Sequence, residues 1–315
     1  MKRMALSLAL AVVRLLTRLP YRWQMRMAWA LAPLLARLAG KRAAIARANL
    51  ALAFPELDGT AREALLRANL CSTAVSLWES LFAWFAPPAR SRGIADIEGL
   101  AHLQAALAQG RGALLIHSHF TMIELGGRLL SEAIGQPMHQ MVRRHNDAAL
   151  EAVIDAARRS YCERTIEKKD VATLLRSLRA GHPVGYAPDQ NFNTHAVFVP
   201  FFGRPAATLA VTGRLARWSG APVLCCWIRR KPSGYGYVLR IDPPLTDFPS
   251  GDEVVDTARL MALLEAEVRA VPEQYLWAHR RYKTQPADRG LAYPDALLKP
   301  RHRGSSDSRG GTGAK

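Results

Sequence analysis

Acidic residues are scarce in this chain, and its first sixth has none. The 315 residues include 43 Lys and Arg against 26 Asp and Glu, which gives a formal net charge of +17. Residues 1–50 hold ten of the basic residues and no Asp or Glu. Such an excess indicates an anionic partner, such as nucleic acid, an anionic membrane surface, or an acidic protein or substrate. Because the same stretch is rich in Leu, Ala, Met and Trp, it favours a membrane surface over nucleic acid.

Cysteine is also scarce. The four cysteines, Cys71, Cys162, Cys225 and Cys226, form no C-x-x-C pair, which argues against a zinc ribbon. Adjacent Cys225 and Cys226 would point to opposite faces of a strand, so we do not expect a disulfide framework. Hydrophobic residues make up 49% of the chain and charged residues 22%. The chain can therefore bury a full core, which excludes intrinsic disorder. The cysteine pattern, with no disulfide framework expected, favours a reduced, cytoplasm-facing protein.

Long hydrophobic runs are missing from the N-terminal region. Residues 4–13 and 27–36 are two apolar runs of ten residues each. A helix needs roughly 20 apolar residues to cross a bilayer core, so each run is too short. A signal peptide is also disfavoured, because Arg14 and Arg18 fall where the cleavage site would have to be.

Basic residues recur on one side of the predicted N-terminal helices. Arg3 and Arg14 are eleven residues apart, about three helical turns, and Arg26 and Arg37 repeat that spacing. The pattern predicts amphipathic helices lying in the plane of a membrane surface, so that residues 1–40 form a membrane-anchoring helical segment. Two alternatives stay open: a single tilted span, and a helical pair packed on the rest of the protein.

The rest of the chain changes character near residue 90. Residues 41–90 have helical periodicity, whereas residues 91–290 alternate short apolar runs with amphipathic segments. This alternation predicts an α/β fold with a central mostly parallel or mixed sheet flanked by helices. Residues 301–315 are Gly- and Ser-rich and are predicted to be a disordered tail. The predicted strands are 112–117, 138–142, 183–187, 196–199, 222–228 and 235–241, and the predicted helices of this part are 121–133, 147–160, 170–180, 206–219 and 253–270.

A histidine and a glutamate follow the first buried strand. His119 and Glu124 come directly after that strand, and active groups of open α/β sheets collect at the carboxyl ends of strands. If Glu124 lies in the first turns of the next helix, its carboxylate can orient His119 as a general base. A purely structural contact between His119 and Glu124 would give the same pattern. Alternatively, His117 and His119 could bind a metal ion, with Glu124 or Asp189 as the third ligand. No G-x-S-x-G nucleophile elbow is present, which favours direct transfer to an acceptor hydroxyl.

Charged residues also follow other predicted strands. Arg144 follows one strand, Arg229 and Arg230 follow another, and Asp189 follows a third. Each basic cluster alone is typical of a solvated turn. Together at one sheet edge they predict a pocket for anionic groups such as phosphates.

Several segments together resemble one known family, the lipid A late (secondary) acyltransferases, which include the lauroyl and myristoyl transferases and share an H-x4-D/E motif with lysophospholipid acyltransferases. The resemblance covers roughly residues 40–285, and its segments occur in the family's order and spacing. They are Arg47–Pro55 (RANLALAFP), His119–Glu124 (HFTMIE), Tyr186–Asp189 (YAPD), Val197–Gly203 (VFVPFFG), Ala207–Gly213 (ATLAVTG), Arg229–Pro232 (RRKP) and Pro272–Lys283 (PEQYLWAHRRYK).

The resemblance implies transfer of a fatty acyl chain from acyl carrier protein to a hydroxyl of a lipid A precursor. It implies His119 as the general base with Glu124 as its partner, and substrate-binding roles for Arg144, Asp189 and Arg281. It also implies attachment to the cytoplasmic face of the inner membrane through the N-terminus, with no metal or organic cofactor and no nucleic acid. An acyl carrier protein, a phosphorylated precursor and an anionic membrane surface would all suit a charge of +17.

The residues also allow two interpretations other than a lipid A acyltransferase. An acyltransferase acting on another lipid would have the same catalytic pair, and a non-enzymatic membrane protein could hold an anionic lipid. The resemblance further implies an apolar pocket that measures the length of the acyl chain. Residues 78–85 could line that pocket, although core packing explains the same aromatic residues.

Overall fold

The computed structural model describes residues 2–298, with side chains from Leu8 onward. Seven strands form one sheet in the order β1-β9-β8-β2-β5-β3-β4, and β6 pairs with β7. From β8 to β4 the neighbouring strands are parallel, whereas β9 is antiparallel to β8. The mostly parallel sheet predicted from the sequence is thus confirmed. The strands are β1 (Ala95–Glu98), β2 (Ala113–Ile116), β3 (His139–Val142), β4 (Arg164–Glu167), β5 (Pro183–Tyr186), β6 (Ala196–Phe201), β7 (Arg204–Leu209), β8 (Val223–Arg230) and β9 (Tyr237–Ile241).

Helices flank the sheet and precede it. Several begin with an aspartate that accepts backbone hydrogen bonds from the first turn, as Asp58 does from Ala61 at 2.7 Å. The helices are α1 (Lys2–Leu16), α2 (Tyr21–Arg37), α3 (Lys41–Ala53), α4 (Gly59–Phe85), α5 (Pro88–Ser91), α6 (Leu100–Leu107), α7 (Ile123–Ile134), α8 (Ala148–Arg158), α9 (Val171–Arg179), α10 (Thr212–Ser219), α11 (Glu253–Ala270) and α12 (Asp295–Leu298).

The central strands β2 and β5 are apolar and buried along their whole length, which is why their sequences predict them well. The edge strands β1 and β4 are half exposed and read Ala-Asp-Ile-Glu and Arg-Thr-Ile-Glu. Neither is among the strands predicted from the sequence. An edge strand has one unpaired side and a partly solvated surface, so it lacks the continuous apolar run of a buried strand.

The β6–β7 hairpin corrects one predicted helix. Residues 206–219 were expected to be helical, but β7 continues to Leu209 and α10 begins only at Thr212. Phe202 and Gly203 form the two-residue turn with φ of 52° and 67°, the positive values of a type I′ turn. Cross-strand pairing along the whole hairpin therefore outweighs the helical preference of Ala206 and Ala207.

The N-terminal helices pack on α4. Met25 and Ala32 of α2 form a buried apolar cluster with Ala74 and Val75 of α4. The Gln24 amide donates to the carbonyl oxygens of residues 17 and 19 at the α1–α2 turn. The expected helical segment is therefore present, and its inner face is fixed by contacts with the following helices.

The outer face of these two helices is apolar and exposed. Within the described residues, no helix is long and apolar enough to span a bilayer. The exposed apolar residues of this face, from here on the N-terminal stripe, are Leu8, Val12, Leu15, Leu19, Trp23, Met27, Leu31, Leu34, Leu35 and Leu38. The predicted tail at residues 301–315 lies outside the described part of the chain.

Candidate active site

His119 lies in the loop between β2 and α7, at the carboxyl end of the sheet. Residues 274–276 hold this loop in place: Thr121 N–H donates to the Gln274 carbonyl at 2.7 Å, and Leu276 N–H donates to the His119 carbonyl at 2.9 Å. Phe120 and Tyr275 also form an antiparallel bridge. The loop backbone is thus held by residues on either side of Tyr275, which fixes the position of the imidazole.

Asp189, and not Glu124, is the carboxylate that contacts His119. The two side chains meet at 2.6 Å between Nδ1 of His119 and Oδ1 of Asp189. The second carboxylate oxygen accepts the His119 backbone N–H at 2.9 Å and the Tyr275 hydroxyl at 3.0 Å. Asp189 is 1% exposed. Its orientation is therefore fully determined, and it accepts a hydrogen bond from Nδ1–H, which leaves Nε2 of His119 as the basic nitrogen.

The electrostatics of the pair agree with this arrangement. Burial by itself would raise the pKa of the Asp189 carboxyl, but the charge and hydrogen bonds of His119, with a contribution from Arg281, hold that pKa well below its usual range. Burial lowers the pKa of His119, whereas the charge and hydrogen bond of Asp189 raise it, and the pKa of His119 lies above its usual 6.5. Burial also raises the pKa of Tyr275 well above its usual value, so its hydroxyl remains a donor.

Glu124 has other partners. Its carboxylate accepts hydrogen bonds from Trp84 Nε1 at 2.9 Å and Arg158 Nε at 3.1 Å, and it forms an ion pair with the Arg158 guanidinium. The contact expected between Glu124 and His119 is therefore wrong. Five residues of sequence separation place Glu124 in the first turn of α7, where α4 and α8 supply its nearest donors. Glu124 and His119 nevertheless line the same cavity, of about 200 Å³, together with Arg158.

An apolar cavity lies next to this site. It is small, with a volume of about 30 Å³, and it adjoins the His119 cavity, because both are lined by His117, Ile123 and Gln140. Gly126 and Gly127 of α7 line it, and a Cβ at Gly126 would come within 3.0 Å of Ile228. Glycine thus leaves room that a larger side chain would fill. Its lining comes from α7, β3, β8 and neighbouring residues and includes none of residues 78–85.

A basic cleft of about 1070 Å³ shares Arg143 with the His119 cavity. Leu276, whose N–H donates to His119, lines it, as does Asn191, which follows Asp189 by two residues. No acidic residue is among its lining residues, so its potential is positive. Its cationic side chains are Lys41, Arg42, Arg143, Arg280 and Lys283.

The chain matches the family described as bacterial lipid A biosynthesis acyltransferase over residues 1–284. The chain belongs to this family. It is 36% identical to a lipid A biosynthesis palmitoleoyltransferase of Escherichia coli (strain K12) over 255 residues, which are 80% of this chain and 82% of the relative. It is 34% identical to the lipid A biosynthesis lauroyltransferase of the same strain over 281 residues, 89% and 91% of the two chains. A Haemophilus influenzae lipid A biosynthesis acyltransferase is 32% identical over 253 residues, 79% and 80%.

Of the arginines predicted to bind substrate in this acyltransferase, Arg230 and Arg281 are buried and already bonded. Arg230 forms an ion pair with Glu79 at 2.8 Å and donates to Ser72 at 3.0 Å. Arg281 donates to the Ala207 carbonyl at 3.0 Å. A phosphate cannot reach either guanidinium. Their predicted contact with substrate is therefore wrong, because in the fold both side chains point into the interior.

Arg229 and Arg144 also lie outside the cavities of this site. Arg229 forms an ion pair with Glu267, at 2.9 Å from Nε. Arg144 is exposed and lines none of the cavities described above, whereas its neighbour Arg143 lines two of them. Adjacent residues in an extended segment point to opposite sides, which explains the difference. Basic side chains do line a cleft near this edge, but they are not the ones that the sequence predicted.

Arg158 and Tyr275 belong to the site but are not among the residues predicted from the sequence. Tyr275 lies in a segment that carries the family resemblance, so that segment was its available signal. Arg158 has no such signal, since a basic residue near the end of an amphipathic helix is common.

The alternative metal site does not form: in the described part of the chain, His117 and His119 belong to no group of three metal-binding side chains. The four cysteines are free.

Proposed function

We propose that this acyltransferase transfers a fatty acyl chain from an acyl carrier protein to a hydroxyl of a lipid A precursor, with His119 as the general base. The observation that carries the proposal is the His119–Asp189 pair, whose cavity shares lining residues with a small apolar cavity and with a basic cleft. A base oriented by a buried carboxylate suits the activation of a hydroxyl. The apolar lining suits the methylene groups of an acyl chain, and the cations of the cleft suit an anionic acceptor.

In the proposed reaction, Nε2 of His119 takes the proton of the acceptor hydroxyl. The acceptor oxygen then attacks the thioester carbonyl, the C–S bond breaks, and the protonated imidazole returns its proton to the leaving thiolate. Asp189 holds the Nδ1–H tautomer and stabilises the imidazolium during transfer. The product is an acyloxyacyl ester.

Glu124 has a different part in this proposal from the one that the H-x4-E spacing predicted. It holds Arg158 through two hydrogen bonds in the wall of the His119 cavity. A fixed positive charge beside the reacting carbonyl would stabilise the negative charge that develops on its oxygen. We therefore assign Glu124 a positioning role for Arg158.

The basic cleft is the proposed site for the phosphates of the acceptor. Arg143 and Lys283 are two of its five cations, and Arg143 also lines the His119 cavity. A phosphorylated lipid bound there would have its reactive hydroxyl close to His119. Replacing both cations by Ala should raise KM for the acceptor more than it lowers kcat, and an unchanged KM would argue against this assignment.

The N-terminal stripe is the proposed membrane contact, on the cytoplasmic face of the inner membrane. Exposed leucines together with basic residues are typical of a helix that lies in an anionic interface. In a sedimentation assay with anionic phospholipid vesicles, the double variant L31S/L34S should bind about tenfold or more weakly than wild type. The control L291S also removes an exposed leucine, remote in sequence from the stripe, and should bind normally. Equal binding by all three proteins would contradict the proposal.

The test of the overall function is mass spectrometry of lipid A from cells that have or lack the protein, and from cells with His119→Ala. We expect both the deletion and the variant to lose one acyl unit, whose mass would identify the chain. Unchanged lipid A with a shift in another lipid would assign the same chemistry to a different acceptor. No lipid change in either strain would favour a non-catalytic lipid-binding protein.

A further inference from the structure

Three side chains with metal-binding atoms meet at the edge of the sheet opposite the active site. His139 begins β3, Glu163 immediately precedes β4, and His182 immediately precedes β5. In the sheet, β3 lies between β5 and β4, so the three residues are neighbours across the amino ends of adjacent parallel strands. Their ligand atoms all lie within 4.8 Å of one another.

His139 is the buried member of this cluster, and its imidazole forms no hydrogen bond. It is 3% exposed, and neither of its ring nitrogens has a hydrogen-bond partner. Its Nε2 lies 3.6 Å from Oε2 of Glu163, and its ring stacks on His182 with centroids 4.3 Å apart. Buried polar atoms in folded proteins are nearly always paired, so two unpaired nitrogens on one imidazole call for a ligand.

We propose that His139, Glu163 and His182 bind one divalent transition-metal ion of the zinc class. Two imidazoles and one carboxylate form a ligand set that Zn²⁺ accepts, with water in the fourth position. Glu163 is 52% exposed, so water can reach that position. Magnesium and calcium are disfavoured, because they prefer oxygen ligands.

Two opposite charges lie beside the proposed ion, since Arg164 pairs with His139 across the sheet and Glu163 precedes Arg164. Arg164 repels a cation, and the Glu163 carboxylate offsets that repulsion. Metal bonds of about 2.0–2.2 Å would draw the three ligand atoms together by about 1 Å.

The position of the site indicates a structural role. The ion would join the starts of three neighbouring strands, whereas the acyl-transfer site lies at their carboxyl ends. Met138 and Gln140 line the apolar cavity, and alternation along a strand points His139 to the other face of the sheet. We therefore expect the ion to raise thermal stability and to leave the acyl-transfer chemistry unchanged.

The test uses the full-length protein in detergent, stripped of metal with a chelator. Zinc at about 100 times its dissociation constant should raise Tm by about 5 °C. Cobalt should give the visible absorption of a tetrahedral site, and elemental analysis should find one zinc per chain. H182Q and E163Q should lose the Tm rise and the cobalt spectrum, whereas H102Q, which changes an exposed histidine on α6, should retain both.

These variants avoid His139, whose replacement could unfold the protein by itself. The proposal is overturned if metal-free wild type shows no Tm rise with zinc. It is equally overturned if H182Q and E163Q respond as wild type does, because the ion would then bind elsewhere. Neither result would affect the acyltransferase proposal, which rests on residues at the opposite edge.

Discussion

The replacement Asp189→Asn tests which carboxylate orients the catalytic histidine. In the wild type, one oxygen of Asp189 accepts the Nδ1–H of His119, and the other accepts the His119 backbone N–H and the Tyr275 hydroxyl. An asparagine has one oxygen and one NH₂ group. Its oxygen should face the backbone N–H and the tyrosine, because both of these are donors. The NH₂ group would then face Nδ1 of His119 and force the proton onto Nε2.

That tautomer cannot accept a proton from the acceptor hydroxyl at Nε2. We therefore expect kcat of the Asp189→Asn variant to fall by about 10³–10⁴, as for a catalytic triad with the wrong tautomer, with KM changed little. Turnover would be measured with an acyl carrier protein thioester and a lipid A precursor by mass spectrometry. Circular dichroism would confirm that the variant is folded.

Two further variants provide the comparison. Tyr275→Phe removes one donor to Asp189 but keeps the His119 tautomer, so its loss should be only about tenfold, roughly the net value of one hydrogen bond to a charged group. Glu124→Gln should keep the pH profile of the wild type, because Glu124 does not contact His119. If Asp189→Asn stays within tenfold of wild type while Glu124→Gln loses 10³-fold, the assignment of Asp189 is refuted.

Three other predictions concern the pH dependence of activity, the stability of the fold and the length of the transferred acyl chain. Since the base must be neutral and Asp189 raises the pKa of His119 above 6.5, kcat/KM should fall as the pH drops through that raised pKa; a pH–rate profile flat down to pH 5 would contradict this. Glu79→Gln leaves the buried Arg230 without its carboxylate and should cost about 3–5 kcal/mol, seen as a lower calorimetric Tm. Gly126→Ala adds a Cβ 3.0 Å from Ile228 and narrows the apolar cavity, so the transferred chains should become shorter by mass spectrometry of the product.

The last two predictions have direct controls. Arg229→Ala breaks a more exposed pair, with Glu267, and should lower Tm much less than Glu79→Gln does. Gly203→Ala, in the β6–β7 turn, is not a suitable control for Gly126, because its φ is positive. Gly59→Ala is a suitable control for Gly126→Ala, since nothing lies within 4 Å of a Cβ at Gly59. An unchanged chain-length profile in Gly126→Ala would remove this cavity as the acyl site.

The sequence by itself determined the class of fold and the place of the site. Continuous apolar runs identify β2 and β5, because strands buried on both faces need apolar side chains throughout. His119 directly after β2 indicates the carboxyl edge of the sheet, where parallel strands bring their ends together. The basic, acid-free N-terminus predicts amphipathic helices, and α1 and α2 form there.

Only the tertiary structure decided which side chains meet. In the sheet, Ile116 of β2 pairs with Tyr186 of β5, and His119 and Asp189 each follow their strand by three residues. The parallel register thus brings together two residues that are 70 positions apart, whereas Glu124, only five positions away, turns toward α4 and α8. Local spacing cannot specify such a pair, because strand order and register arise from packing the whole sheet. The same packing turned Arg230 inward to Glu79 and left Arg143 at the cleft.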